Sequence, residues 1–110
     1  MPYIQVDGTK IHYELKGREA SRPVVFLHGL GSSGRDWELQ VPAFEADYRI
    51  VLIDMRGHGK SDKPPGPYSV AQFAKDTVTV LDHLGIKSAD FVGLSMGGMI
   101  AFQLAVDYPE

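Results

Sequence analysis

Two stretches, residues 23–27 (Pro-Val-Val-Phe-Leu) and 49–53 (Arg-Ile-Val-Leu-Ile), are short continuous apolar runs rich in β-branched residues. That pattern predicts strands buried on both faces of a parallel sheet, because alternation is lost when neither face meets water. Residues 90–94 (Asp-Phe-Val-Gly-Leu) are a weaker third copy. Ahead of them, residues 3–6 and 10–15 flank Asp7-Gly8, which predicts a two-stranded antiparallel hairpin closed by an Asp-Gly turn.

Between the apolar runs the period lengthens. Ser33 and Asp36 have capping-box spacing, and Trp37, Val41 and Phe44 follow at helical intervals. Ser69 with Gln72 makes a second box, after which Val70, Phe73, Ala74, Thr77, Val78, Leu81 and Leu84 share one face until Gly85 stops the run. Both stretches are expected to be amphipathic surface helices. Residues 96–108 are apolar nearly all round, with Gln103 and Asp107 as exceptions and Pro109 as terminator, so this helix is expected to be buried. The alternation implies an open, mostly parallel α/β sheet with right-handed crossovers and an antiparallel N-terminal hairpin. Ligands of such sheets sit at the carboxyl ends of the strands.

Composition narrows the function. The 110 residues are one domain's worth, 1–110, and 44% hydrophobic against 23% charged residues is an ordinary folded composition. A net charge of −3 argues against nucleic acid and anionic membrane as partners. The absence of cysteine excludes disulfide frameworks, thiolate metal sites and cysteine nucleophiles. The first residues lack a basic segment followed by an apolar core, and no apolar run approaches the roughly 18 residues of a membrane span. A soluble, cytoplasmic protein is the expectation.

Three motifs carry chemistry, each directly after a predicted strand. Gly93-Leu94-Ser95-Met96-Gly97, followed by Gly98, is a G-x-S-x-G sequence between a strand and a helix. There it predicts a nucleophile elbow: a turn too tight for flanking side chains, which presents the Ser95 hydroxyl above the sheet. The competing reading is a glycine-rich turn with Ser95 as a helix cap. The second motif, His28-Gly29-Leu30-Gly31, lets the backbone fold close to a ligand, so that the Leu30 and Met96 amides can converge on one oxyanion. His28 is a candidate general base, but a histidine at a strand end more often bonds to backbone and shapes the loop. In the third, Asp54-Met55-Arg56-Gly57-His58-Gly59-Lys60-Ser61-Asp62, support of the loop outweighs metal binding by Asp54, His58 and Asp62, whose spacing matches no common ligand set. No cofactor and no metal is implied.

In order and spacing these motifs resemble the amino-terminal part of an α/β-hydrolase. The segment Lys63-Pro64-Pro65-Gly66-Pro67-Tyr68-Ser69 and residues 91–100 are most similar to the 3-oxoadipate enol-lactonase and carboxylesterase branch. The resemblance implies a three-layer fold. It also implies Ser95 as nucleophile, Leu30 and Met96 as oxyanion-hole amides, a lining role for Trp37, and His28, Gly29, Gly31, Gly93 and Gly97 as residues that shape the site. The implied substrate is a small ester or lactone.

The sequence also departs from that family's order, in which the triad acid and histidine follow the nucleophile. Here fifteen residues follow Ser95, and all four histidines, His12, His28, His58 and His83, precede it. Asp107 cannot serve as the acid, since twelve helical residues at about 1.5 Å rise put it roughly 18 Å from Ser95. The expectation is therefore a partial hydrolase domain truncated after the helix that follows the elbow, weakly active or inactive alone and prone to self-association through an exposed sheet edge. The different-class alternative is a non-catalytic binding or sensor module of the same fold.

Overall fold

The computed structural model describes residues 3–6, 8–18, 21–29, 31, 33–38, 40–44, 47–64, 68–87 and 89–108. Five strands, β1 (Tyr3–Val6), β2 (Thr9–Gly17), β3 (Arg22–Leu27), β4 (Tyr48–Ile53) and β5 (Asp90–Gly93), form one sheet in the order β1-β2-β4-β3-β5. β1 pairs antiparallel with β2, and β2 antiparallel with β4; β3 lies between β4 and β5 and is parallel to both. The sheet is thus open and mixed. Gly8 turns the N-terminal hairpin at a φ of +82°; Asp7 lies outside the described residues.

The continuous apolar runs have two faces to cover. Val25, Leu27, Val51 and Ile53 point to one face, where they pack with α2 (Val70–His83) and α3 (Met96–Asp107) through Phe73, Val80, Ile100 and Leu104. Val24, Phe26, Ile50 and Leu52 point to the other face, under Val41 and the partly buried Trp37 and Phe44. Helices therefore lie on both sides of the sheet, as the three-layer expectation requires.

α2 begins and ends where its sequence says. Ser69 Oγ accepts the Gln72 N–H at 3.1 Å. The Gln72 side chain does not complete the box and donates instead to Asp76 Oδ1 at 2.9 Å. At the other end Gly85, at a φ of +73°, lets the Ile86 N–H reach back to the Leu81 carbonyl at 2.9 Å. Leu81 and Ile86 are both buried beside that closure, the hydrophobic contact typical of such a stop.

Two helical expectations are corrected. The stretch from residue 33 to 44 is a 3₁₀ turn over Gly34–Trp37 followed by a single helical turn, α1 (Val41–Phe44), and not one amphipathic helix. Pro42 is the reason: it has no N–H for the carbonyl four residues earlier and its ring crowds that carbonyl, so it is tolerated only in a first turn. The Asp36 side chain, half of the predicted box, lies outside the described residues. α3 is buried along one stripe only, Met96, Gly97, Ile100 and Leu104. Met99, Phe102 and Val106 are 54%, 77% and 73% exposed, because no element of the described residues covers that side. β5 is a sheet edge whose Val92 is also exposed.

Candidate active site

The chain turns from β5 into α3 through Leu94 and Ser95. Ser95 has φ 54° and ψ −109° and is the only non-glycine among the described residues with positive φ. An L side chain rarely adopts such a conformation, which costs of order 1–3 kcal/mol and persists only where surrounding structure enforces it. The enforcement is visible in the glycines. A Cβ on Gly93 would lie 2.4 Å from the Gly97 carbonyl carbon, and one on Gly97 would lie 2.1 Å from the Leu27 carbonyl oxygen. Strand, turn and helix therefore approach as closely as backbone allows. The Leu94 N–H donates to Leu27 O at 3.1 Å and the Gly97 N–H to Leu94 O at 2.9 Å, which closes the turn.

Ser95 stands at the cap position of α3, exposed, with no side-chain capping hydrogen bond. The capping alternative is thereby removed. The Met96 N–H is the first amide of the helix, where no intrahelical acceptor exists and the positive end of the helix dipole lies. The Met96 side chain is buried beneath it.

The loop after β3 runs alongside. A Cβ on Gly29 would lie 3.4 Å from Leu94 O and 3.8 Å from Ser95 Cβ, so a methyl there would reach van der Waals contact with the elbow. Gly31 has a φ of +80°; Leu30 lies outside the described residues. His28 is fully buried, with Nδ1 2.8 Å from the Gly29 carbonyl and Nε2 accepting the Met55 N–H at 3.0 Å. The Met55 bond fixes Nε2 as acceptor, so the proton sits on Nδ1 and donates to Gly29. Both nitrogens are committed to backbone. Trp37, expected to line the site, is partly buried and packs edge-on against Phe26 with ring centroids 5.0 Å apart. Its Nε1 is buried with no partner among the described residues.

The segment after β4 is densely hydrogen-bonded. Asp54, buried, receives Gly34 N–H on Oδ1 at 2.7 Å, and Lys60 N–H and His12 Nδ1 on Oδ2 at 3.0 Å each. Arg56 makes a bidentate ion pair with Asp76 of α2 at 2.6 and 2.8 Å, with Asp76 fully buried. His58 Nδ1 lies 3.0 Å from the Arg56 carbonyl. Sequence reasoning missed both carboxylate partnerships. A signal for one was present: Asp76 falls on the apolar face of α2, where a buried carboxylate requires a cation. Among the described residues no group of three or more His, Asp or Glu is arranged to hold a metal ion.

The His12–Asp54 pair has the polarity of the acid–base half of a triad. Its remaining nitrogen, however, is buried and faces Glu14 Oε2 at 3.9 Å. His83 lies at the end of α2 against Tyr13, with centroids 6.5 Å apart. None of the four histidines is hydrogen-bonded to Ser95 among the described residues. At the opposite strand ends Arg22 grips Asp90 at 2.6 and 2.9 Å. Those hydrogen bonds hold the Asp90 carboxyl below and the Arg22 guanidinium above their ordinary ranges. No helix of the described residues is long and apolar enough to cross a membrane.

Residues 22–110 match the sequence family described as the alpha/beta hydrolase fold. The chain is 41% identical over 93 residues to 3-oxoadipate enol-lactonase 2 of Acinetobacter baylyi, covering 84% of this chain and 35% of that protein. It is 38% identical over 107 residues to bifunctional epoxide hydrolase 2 of Sus scrofa, covering 94% of this chain and 19% of that protein. Among solved structures, Est816, an N-acyl homoserine lactone degrading enzyme, superposes with a TM-score of 0.93 at 45% identity, covering 98% of this chain and 41% of that one. The chain thus spans less than half the length of each of these relatives.

Proposed function

Because this chain belongs to the α/β-hydrolase fold family, we propose that it is the nucleophile-bearing part of a serine hydrolase acting on carboxylic esters or lactones. One observation carries the reading: a single non-glycine residue held at positive φ, between two glycines that admit no side chain, with its hydroxyl exposed and unbonded as a cap. Ser95 Oγ attacks the carbonyl carbon, and the amides of Met96 and Leu30 hold the oxygen that becomes negative. The hydroxyl proton passes to an imidazole outside these 110 residues, the alcohol or ring oxygen leaves, and water releases the acyl group by the same path in reverse. Gly29 and Gly31 keep the loop against the elbow, and His28 holds its shape. An aspartate nucleophile, the alternative chemistry on such an elbow, is disfavoured because Ser95 occupies the position. The names of the lactone-degrading relatives support an ester or lactone substrate.

Alone, the chain is expected to hydrolyse p-nitrophenyl acetate slowly. Triad-depleted serine enzymes keep a residual of about 10³–10⁴ over water from the oxyanion hole and binding, and Ser95→Ala should abolish what remains. Binding of the ester without any Ser95-dependent release would instead favour a non-catalytic module. Turnover that survives Ser95→Ala would overturn the reading.

The same reading includes self-association. Among the described residues β5 is an open sheet edge and Met99, Phe102 and Val106 of α3 are exposed, and uncovered edges and apolar side chains of this kind are a template for pairing. Sedimentation should show concentration-dependent dimers or larger species; a monodisperse monomer that binds no dye for apolar surface would overturn it.

A further inference from the structure

Asp54 and Met55, consecutive residues directly after β4, bond to Gly34 and His28, at the two ends of the loop that follows β3. At the near end the Met55 N–H donates to His28 Nε2 at 3.0 Å. At the far end the Gly34 N–H donates to Asp54 Oδ1 at 2.7 Å. Between these bonds the chain passes the elbow at Gly29, where an added Cβ would meet Leu94 O and Ser95 Cβ at ordinary contact distance.

The carboxylate is itself immobilised. Its second oxygen accepts from Lys60 N–H and His12 Nδ1, both at 3.0 Å. Its own N–H donates to the His12 carbonyl at 3.0 Å, and the His12 N–H donates to Ser61 Oγ at 2.7 Å. Gly59, at a φ of +51°, leaves the space: a Cβ there would lie 2.5 Å from Asp54 Oδ2. Three N–H donors converge on one side chain, which only a carboxylate satisfies; an amide would turn its own NH₂ toward donors or leave them unmet. Through Gly34 the carboxylate is tied to the loop that follows β3, whose Gly29 passes the elbow.

We infer that Asp54 is a positioning residue for the oxyanion-binding backbone, with His12 fixing the orientation of the carboxylate from behind. The inference rests on the role proposed above for Ser95 and the Leu30 amide. Asp54 touches no reacting atom.

The test uses the absence of native cysteine. A Ser95→Cys chain carries one thiol, at the elbow, whose thiolate needs no catalytic base. Acylation of that thiol by p-nitrophenyl acetate passes through an oxyanion; alkylation by iodoacetamide passes through none. The ratio of the two second-order rates therefore cancels changes in thiol exposure and ionisation and reports the oxyanion-binding amides. Adding Asp54→Asn is expected to lower the ratio about tenfold or more, and adding His12→Phe to lower it less. A ratio unchanged within about twofold in the folded Asp54→Asn, Ser95→Cys chain would overturn the inference. A Ser95→Cys ratio equal to that of free cysteine, before any Asp54 substitution, would mean that no such amides act; the reading of the elbow then fails, and this inference with it. Should Asp54→Asn unfold the chain, amide exchange of the unsubstituted protein decides. Gly34 N–H protected like the amides of β4 supports the clamp, and exchange at the rate of an open loop overturns it.

Discussion

The turns that leave β4 and β5 lie at the same end of one sheet and are built on opposite principles. After β4, a buried carboxylate collects three N–H donors, and Arg56 is locked to a fully buried Asp76. After β5, the backbone is forced into a conformation that Ser95 does not favour, its side chain is left exposed, and glycines replace polar contacts as the means of control. The first turn keeps its polar groups satisfied and so holds its neighbours still. The second carries strain and leaves its hydroxyl without a capping bond. Strain and support are thus separated between adjacent loops.

The sharpest way to break the supporting side is Arg56→Leu. It leaves the Asp76 carboxylate, fully buried, with Gln72 as its one side-chain donor among the described residues, and removal of one partner from a buried pair costs about 3–5 kcal/mol. Urea unfolding should show that loss, a large part of the stability of a domain this size; a midpoint unchanged by the substitution would mean the pair supports nothing. On the reactive side, Gly97→Ala would place a methyl 2.1 Å from the Leu27 carbonyl oxygen. The expected cost is about 3 kcal/mol, with loss of whatever Ser95 reactivity exists. Ser95→Gly acts in the other direction. It relieves the positive φ and should stabilise the chain by about 1 kcal/mol while removing the nucleophile, the reverse of its effect at a residue held by favourable contacts.

The smallest effect concerns the exposed Arg22–Asp90 pair at the far ends of β3 and β5. Its folded-state carboxyl is held below the ordinary range by the Arg22 hydrogen bonds, so its contribution is present at neutral pH and is lost as pH falls through the carboxylate range. Asp90→Asn should lower the melting temperature slightly at pH 7, with the difference vanishing by about pH 2. A difference that grew on acidification would contradict the assignment.

How much of this was legible in the sequence follows the same division. The β3 and β4 runs read directly as strands because both faces of each are covered, one by α2 and α3, the other by Val41 and its neighbours. The elbow was legible because its constraint is steric and local: only glycine fits at positions 93 and 97. The network around Asp54 was not, since it joins His12, Gly34 and Lys60 across separations of 42, 20 and 6 residues, which no local period records. The helix expected over residues 33–44 failed at Pro42, whose effect on a backbone hydrogen bond outweighs the spacing of Trp37, Val41 and Phe44. α3 read as buried because hydrophobicity reports what a side chain prefers, whereas its exposure depends on which elements lie opposite.

The central claim, that the elbow presents Ser95 as a nucleophile, is tested most directly by reaction with a fluorophosphonate followed by peptide mass mapping. The account predicts a slow, stoichiometric adduct on Ser95, abolished in Ser95→Ala and by prior unfolding. An adduct confined to other residues, or equal labelling of Ser95 in the folded and unfolded chain, would contradict it.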